Sequence, residues 1–398
     1  MLGEVTLRVN NKFAKKYRNG YPLLHQNALE SPLGLEDEGK IFSILDGNDN
    51  FIGRGYLGSQ NKGSGWILTW NVSEAIDQRF FDKKIQTALT TRSSYFHDEA
   101  TSAFRVFNGE GDGIGGITID YYDGYYVVSW YSEGIYYFRD KIYQALKKST
   151  VYKAIYQKKR FDKNGKYVQG DDFVTGTRGD SPIIVKENGV NFAVYLNEGP
   201  MTGVFLDQKN VRERIMNTYS AGKTVLNTFS YTGAFSVCAA LGGAEKTTSV
   251  DLANRSLAKT IEQFRVNEID PETHDIKVMD VFRYFKYAVK NKLSFDVVIL
   301  DPPSFARSKK NTFSAAKDYK DLLKQAMDVT NENGVIVAST NYSGFGMDKF
   351  KEQIYSACEE NGGKFSTIEE FSLPSDFQTS VCFPEGDYLK VVFIKKHS

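Results

Sequence analysis

Phe295-Asp296-Val297-Val298-Ile299-Leu300 runs directly into Asp301-Pro302-Pro303-Ser304-Phe305. The first six residues read as a strand buried on both faces. Two prolines in a row remove backbone donors and fix φ, so the strand stops there and the following loop is stiff. A stiff loop at the carboxyl end of a parallel strand lies where open α/β sheets bind their ligands. The acid and carbonyls of this loop can face a small polar group, and Phe305 offers a flat face to a base.

Working upstream, three more strand-like runs end in a polar residue: KTVLN at Asn227, KTTSVD at Asp251 and IKVMD at Asp280. Stretches with helical patterning, such as LANRSLAKTIEQFRVNE, lie between them. That alternation predicts βαβ units and a parallel sheet covered on both faces. The first turn reads Asn227-Thr228-Phe229-Ser230-Tyr231-Thr232-Gly233. A dinucleotide fold needs three glycines here, so that backbone can approach a pyrophosphate. This turn has one, Gly233, which suits a ligand with no phosphate to cradle. Asp251 sits where an acid takes ribose hydroxyls. Asp280, followed by Val281, sits where a carboxylate meets an adenine amine. The alternative for each acid alone is a helix N-cap. Downstream, GVIVAST predicts a fifth strand ending in Asn341-Tyr342-Ser343-Gly344, and FSTIEEF and YLKVVFIKK an antiparallel finish. Their connector, SLPSDFQTSVCFPEGD, is long enough to close over the site.

LNTFSYTGAFS, the SVD and MDVF strand ends, ILDPPSF, the upstream GPMTGVFLDQKNVR and the late FPEGDYLK together resemble one family. They are similar to the large-subunit ribosomal RNA methyltransferases related to the cytosine-5 enzyme methyltransferase I. The resemblance covers nearly the whole chain. It implies S-adenosylmethionine as cofactor and large-subunit ribosomal RNA as partner. It places Asp251, Asp280, Val281 and the Asn227, Phe229, Tyr231 and Gly233 turn at the methyl donor, with Phe205, Gln208, Arg212 and Asp301 nearby. It assigns Asp301, Pro302, Pro303, Ser304 and Phe305 to the target base, with Phe305 or Tyr342 stacking on it. A homodimer is expected by resemblance only.

The chain departs from that family at one chemically decisive place. Cytosine C5 becomes nucleophilic only after a thiolate adds to the neighbouring ring carbon. The cytosine-5 relatives carry that cysteine in a Ser-Cys-Ser-Gly string after the fifth strand, whereas here Tyr342 holds its position. A phenol, ionising only around pH ~10, is a poor substitute. Cys238 and Cys358 lie in helical patterns and read as structural, which leaves Cys382 in the late loop as the outside candidate. A base nitrogen with a free lone pair needs no covalent adduct, only positioning and a suitable field. The DPPSF string followed by Ala306-Arg307-Ser308-Lys309-Lys310 is similar to that of guanine-N7 family members. Guanine N7 is therefore the expected acceptor, with exocyclic nitrogen and cytosine C5 behind it. A non-catalytic RNA-binding factor is the rival from another class, and the single glycine disfavours a nicotinamide oxidoreductase.

The expected fold is α/β, a C-terminal Rossmann-like seven-stranded domain over 186–398. A small α+β domain over 71–185 and a PUA-like β-barrel over 1–70 precede it. VTLRVN, GKIFSILD, FIGRGYLG and GWILTW read as the short strands of the barrel. Lys16-Tyr17-Arg18-Asn19-Gly20-Tyr21-Pro22 resembles the Arg-x-Gly-(His)-Pro segment of RNA-binding PUA domains. The run Gly109 to Gly116 lacks the Lys-Ser/Thr of a P-loop and is expected to be a tight turn. The formal net charge of +1 does not imply tight binding to RNA by bulk electrostatics, so any RNA contact must be local. Candidates are Lys16 and Arg18 near the start, Lys158 to Arg160 in the middle, and Arg307, Lys309 and Lys310 beside the predicted base loop. No metal site and no membrane span are expected. Three cysteines, no disulfide framework and no signal-peptide pattern suggest the cytoplasm.

Overall fold

The computed structural model describes residues 3–31, 34, 37–60, 63–161, 167–307 and 312–398. They form two compact units: Met1–Val185 with Val194–Thr202 and Ser375–Gly386, and Lys186–Ala193 with Gly203–Pro374 and Asp387–Ser398.

The second unit is built on a seven-stranded sheet, whose strands are numbered here in chain order. They are β1 (Thr224–Thr228), β2 (Lys246–Asp251), β3 (Asp275–Val278), β4 (Phe295–Leu300), β5 (Thr330–Thr340), β6 (Lys364–Phe371) and β7 (Lys390–His397). The spatial order is β3-β2-β1-β4-β5-β7-β6. The first five strands are parallel, and β7 pairs antiparallel with both β5 and β6. The longer helices of this unit are α1 (Ala234–Leu241), α2 (Arg255–Arg265), α3 (Val281–Lys290), α4 (Ala315–Asp328) and α5 (Met347–Asn361), and a short helix over Lys209–Arg214 precedes β1. From Val297 to Leu300 the β4 run is apolar and buried, because helices cover both faces of its sheet. Two buried clusters sandwich the sheet, one around Val298, Leu300 and Tyr319, the other around Val297, Ile299 and Phe393. Strand order reverses between β1 and β4, which opens a crevice at their carboxyl ends.

In the first unit, one five-stranded sheet runs Glu4–Arg8, Ile41–Leu45, Phe51–Gln60, Gly63–Thr69, Leu23–His25. An isolated bridge between Val9 and Leu29 joins the chain just beyond the two edge strands, so the sheet curls on itself. A second sheet runs Phe173–Gly176, Ala154–Lys159, Tyr125–Trp130, Ile117–Tyr122, Ala103–Asn108. One hydrophobic core, from Phe42 and Trp66 to Phe104 and Trp130, crosses residue 70 without a break. The glycine-rich run after Asn108 is a short turn between antiparallel strands, with Gly113 and Gly116 at φ +87° and +84°.

The late connector is held within the first unit. Its residues 375–386 belong to the first unit and are committed there. Buried Arg92 donates to the Asp376 carbonyl, the Arg105 amide donates to the Asp376 carboxylate, and Tyr21 donates to Glu385. Phe383 packs on Tyr21 and Trp66. Apolar side chains and backbone acceptors in this stretch find partners on that unit, which anchors it as packing.

Candidate active site

The turn after β1 is held in an unusual shape. Phe229 and Tyr231 have φ of +54° and +52°, a region where L side chains are strained. Gly233 follows at φ +81°, where a Cβ would lie 2.5 Å from the Thr260 methyl. Asp251 secures this turn. One of its carboxylate oxygens accepts from the Tyr231 amide at 2.9 Å, the other from the Ala253 amide at 2.8 Å. Each oxygen keeps a further lone pair. Asp280 caps α3, accepting from the Arg283 amide through Oδ1 at 3.1 Å. The capping alternative is thus real for Asp280, and its Oδ2 stays open for a second acceptor role. Val281 is buried at the first position of α3. Asn227 turns its side chain into the interior, donating to Ser236 Oγ at 3.0 Å.

Asp301 is held differently. Its Oδ1 accepts from Gln208 Nε2 at 3.0 Å and from Ser339 Oγ at 2.9 Å, and Gln208 also donates to Ser339 at 2.8 Å. Burial, with Asp207 nearby, pushes the Asp301 carboxyl up to about 6, against the pull of these donors and Arg212. Arg212 itself is fully buried. It forms a two-pronged ion pair with Glu187, both contacts 2.7 Å, and donates to the Phe205 carbonyl. It holds the segment carrying Phe205 and Gln208, with its guanidinium already occupied. Phe205 is 41% exposed and lies against the Tyr231 ring, centroids 5.3 Å apart.

The loop of Asp301 to Phe305 and the loop after β5 are tied together: Ser304 Oγ donates to Asn341 Oδ1 at 2.5 Å. Phe305 is 62% exposed and begins a short antiparallel hairpin, Phe305–Arg307 with Thr312–Ser314. Tyr342 is half-buried against Phe345, its ring lying where a Gly344 side chain would be. Buried Lys390, its amine pushed down to about 8 by burial, donates to the carbonyls of Tyr342 and Phe345 at 2.8 and 2.9 Å.

The basic candidates fare unevenly. Lys16 lies exposed on helix Asn11–Arg18, with its amine 3.3 Å from the Tyr21 ring centre. Arg18 is exposed and paired with Asp46. Lys158 is buried in an ion pair with Asp172, so it offers nothing to solvent. Arg307 stands at the end of its strand, while Lys309 and Lys310 lie outside the described residues. Ser339, Asn341 and Lys390 were not singled out by sequence. A serine in an apolar strand carries no local signal, and the partners of all three come from other elements.

Residues 106–380 match the S-adenosylmethionine-dependent methyltransferase family, and residues 7–70 match a PUA-like domain. The chain belongs to the S-adenosylmethionine-dependent methyltransferases. A Bacillus subtilis (strain 168) protein provisionally named ribosomal RNA large subunit methyltransferase YwbD is 60% identical, covering 98% of this chain and 99% of its own. Ribosomal RNA large subunit methyltransferase I of Alteromonas mediterranea is 32% identical, covering 94% and 95%. Among solved structures, SMU.776, provisionally described as a methyltransferase and complexed with SAH, has a TM-score of 0.89 at 39% identity, covering 98% and 100%. The cofactor is therefore S-adenosylmethionine. No helix among the described residues is long and apolar enough to cross a membrane.

Proposed function

We propose that this enzyme methylates a base of large-subunit ribosomal RNA, and that the acceptor atom is guanine N7. The observation that carries the choice of atom is Tyr342 in place of a nucleophilic cysteine. Cys238 is buried inside α1, its thiol pushed up to about 12 by burial, and Cys358 on α5 is pushed up to about 11. Cys382 belongs to the first unit, packed against Gly20. Cys238 and Cys358 are thus poorly suited to act as nucleophiles, and in this reading the base attacks with its own lone pair.

The residues present suit the cofactor. Asp251 and Asp280 retain acceptor capacity for hydroxyls and an amine, and the one-glycine turn suits a ligand without phosphate. In this reading Asp251 takes the ribose and Asp280 the adenine amine, beside the Val281 backbone. The Asn227–Gly233 turn passes close to the amino-acid end, with Phe205 and Gln208 alongside. S-adenosylmethionine supplies a methyl group on a sulfonium. In the transfer the sulfur–carbon bond breaks, its pair stays on sulfur, and the positive charge passes to the guanine. No proton has to leave. Asp301 and the Pro302–Pro303 backbone orient the base, with Ser304 bracing the loop. Phe305 or Tyr342 stacks on it, a contact worth about 1–3 kcal/mol. Lys16, Arg18, Arg307, Lys309 and Lys310 are the RNA contacts of this reading, with Arg18 reaching RNA only if its pairing with Asp46 opens. The division at residues 70/71 and 185/186, a cytoplasmic setting and a homodimer belong to the same proposal.

The test is mass spectrometry of nucleosides from deproteinised large-subunit RNA of a strain lacking the gene, incubated with the enzyme and S-adenosylmethionine. 7-Methylguanosine is expected. 5-Methylcytidine would overturn the choice of atom and point first to Cys382.

A further inference from the structure

We infer that Asn341 is a specificity-determining residue, reading the O6 oxygen of the target guanine with its side-chain amide. The inference rests on the proposal that guanine is the acceptor and deepens it. Asn341 stands where the cytosine-5 relatives carry the first serine of Ser-Cys-Ser-Gly, so the chain departs from that string at two adjacent positions, and Tyr342 accounts for only one. The structure gives the second departure a geometry. Asn341 is exposed at the carboxyl end of β5, next to the loop that follows β4. Ser304, the residue after the two prolines, donates its hydroxyl to Asn341 Oδ1 at 2.5 Å, within the range of an O–H···O bond. That bond occupies the amide oxygen and fixes which way the side chain is turned. Its Nδ2, a two-proton donor, makes no hydrogen bond to any described residue, and the bonded pair Ser304 and Asn341 directly precede exposed Phe305 and half-buried Tyr342 in the chain.

A guanine offers two acceptors side by side on its Hoogsteen edge, N7 and O6, whereas adenine offers an acceptor and an amine donor there. N7 must stay free to attack the methyl group, which leaves O6 as the atom a site can hold. A fixed amide donor accepts guanine at that position and places two donors in opposition for adenine. Cytosine at its own edge presents an amine donor as well. Asp301, an acceptor, cannot make this distinction. Lys390 donates to the carbonyls of Tyr342 and Phe345, which restrains the chain just after Asn341.

The experiment uses large-subunit RNA assembled by ligation, carrying one altered purine at the nucleotide that becomes 7-methylguanosine. Inosine keeps N7 and O6; 2-aminopurine keeps N7 and lacks O6. For the wild-type chain, transfer to inosine RNA should stay within a few-fold of guanosine RNA, and transfer to 2-aminopurine RNA should fall about tenfold or more in kcat/KM. Asn341→Ala should lose that preference, bringing guanosine RNA down to the level of 2-aminopurine RNA while S-adenosylmethionine binding by calorimetry is unchanged. Ser304→Ala, which releases the amide, should reduce the preference partly. An Asn341→Ala enzyme that keeps the full guanosine-to-2-aminopurine ratio overturns the inference, even if its overall rate drops. If wild-type enzyme yields 5-methylcytidine instead, the proposed acceptor fails first, and that result is read from the wild type alone.

Discussion

At one end of the crevice, Asp251 and Asp280 are held by backbone amides: Ala253 and Arg283, two and three residues further along the chain, and for Asp251 also Tyr231, 20 residues back. At the other end, Asp301 is held by side chains 93 and 38 residues away, Gln208 and Ser339. In the sequence the three acids look alike, each closing an apolar run. In the fold they are different instruments. A carboxylate on local amides is assembled wherever a strand gives way to a helix, and it costs little to build. One satisfied by remote side chains in a buried setting depends on three chain segments arriving together, and its proton affinity is reset by that setting. In the proposed function the two acids held by backbone amides serve the cofactor and the one held by remote side chains serves the reacting base.

The sharpest break of the remote half is Arg212→Met. It strips the buried Glu187 of its partner and frees the Phe205 carbonyl, at an expected cost of about 3–5 kcal/mol in denaturant unfolding. Adding Glu187→Leu should restore most of that loss; if the double variant is no better than the single, the ion pair is not the cause. Next in size is Asp301→Ala, which should lower methyl transfer by about 10²–10³-fold while S-adenosylmethionine still binds within a few-fold in calorimetry. Normal turnover in that variant would remove Asp301 from the reaction.

A smaller effect sharpens the contrast through pH. Asp301 has a folded value near 6, above the ordinary carboxylate, so between those values the folded chain keeps a proton that the unfolded chain has released. Its contribution to stability is therefore present at the acid end of that window and lost as pH rises towards about 6. Asp301→Asn should flatten this slope in pH-dependent unfolding. If transfer uses the carboxylate, its rate should rise with pH around 6. Ser339→Ala removes a donor that favours the charged form, so the inflection should move upward. An unmoved inflection in the Ser339 variant would show that this hydroxyl does not set the titration. The smallest expected effect lies in the local half: Asp280→Ala loses a helix cap, about 1 kcal/mol, with weaker cofactor binding measured separately by calorimetry.

Much of the fold and part of the site were legible beforehand. The strand-ending acids, the single glycine at the first turn and the antiparallel finish all follow from local rules. Apolar runs must be buried on both faces, prolines end strands, and a left-handed turn admits Gly233 with little strain. The reading assigned Asn227 and Arg212 to the cofactor from their places in the motifs. Only the fold shows their side chains engaged with Ser236 and Glu187. It also missed that residues 375–386 pack on the first unit, since nothing in SLPSDFQTSVCFPEGD names Arg92, Arg105 and Tyr21 as its partners.

The chain by itself determined the class of fold, the family and the places where the sheet must end in polar residues, because those depend on periodicity and on backbone chemistry within a few residues. Only the tertiary structure decided which acid is buried, which cation is already paired, and that Ser304 and Asn341 meet across two loops. Such contacts join residues tens to hundreds of positions apart, and their energies come from desolvation and geometry that exist only once the segments are packed together.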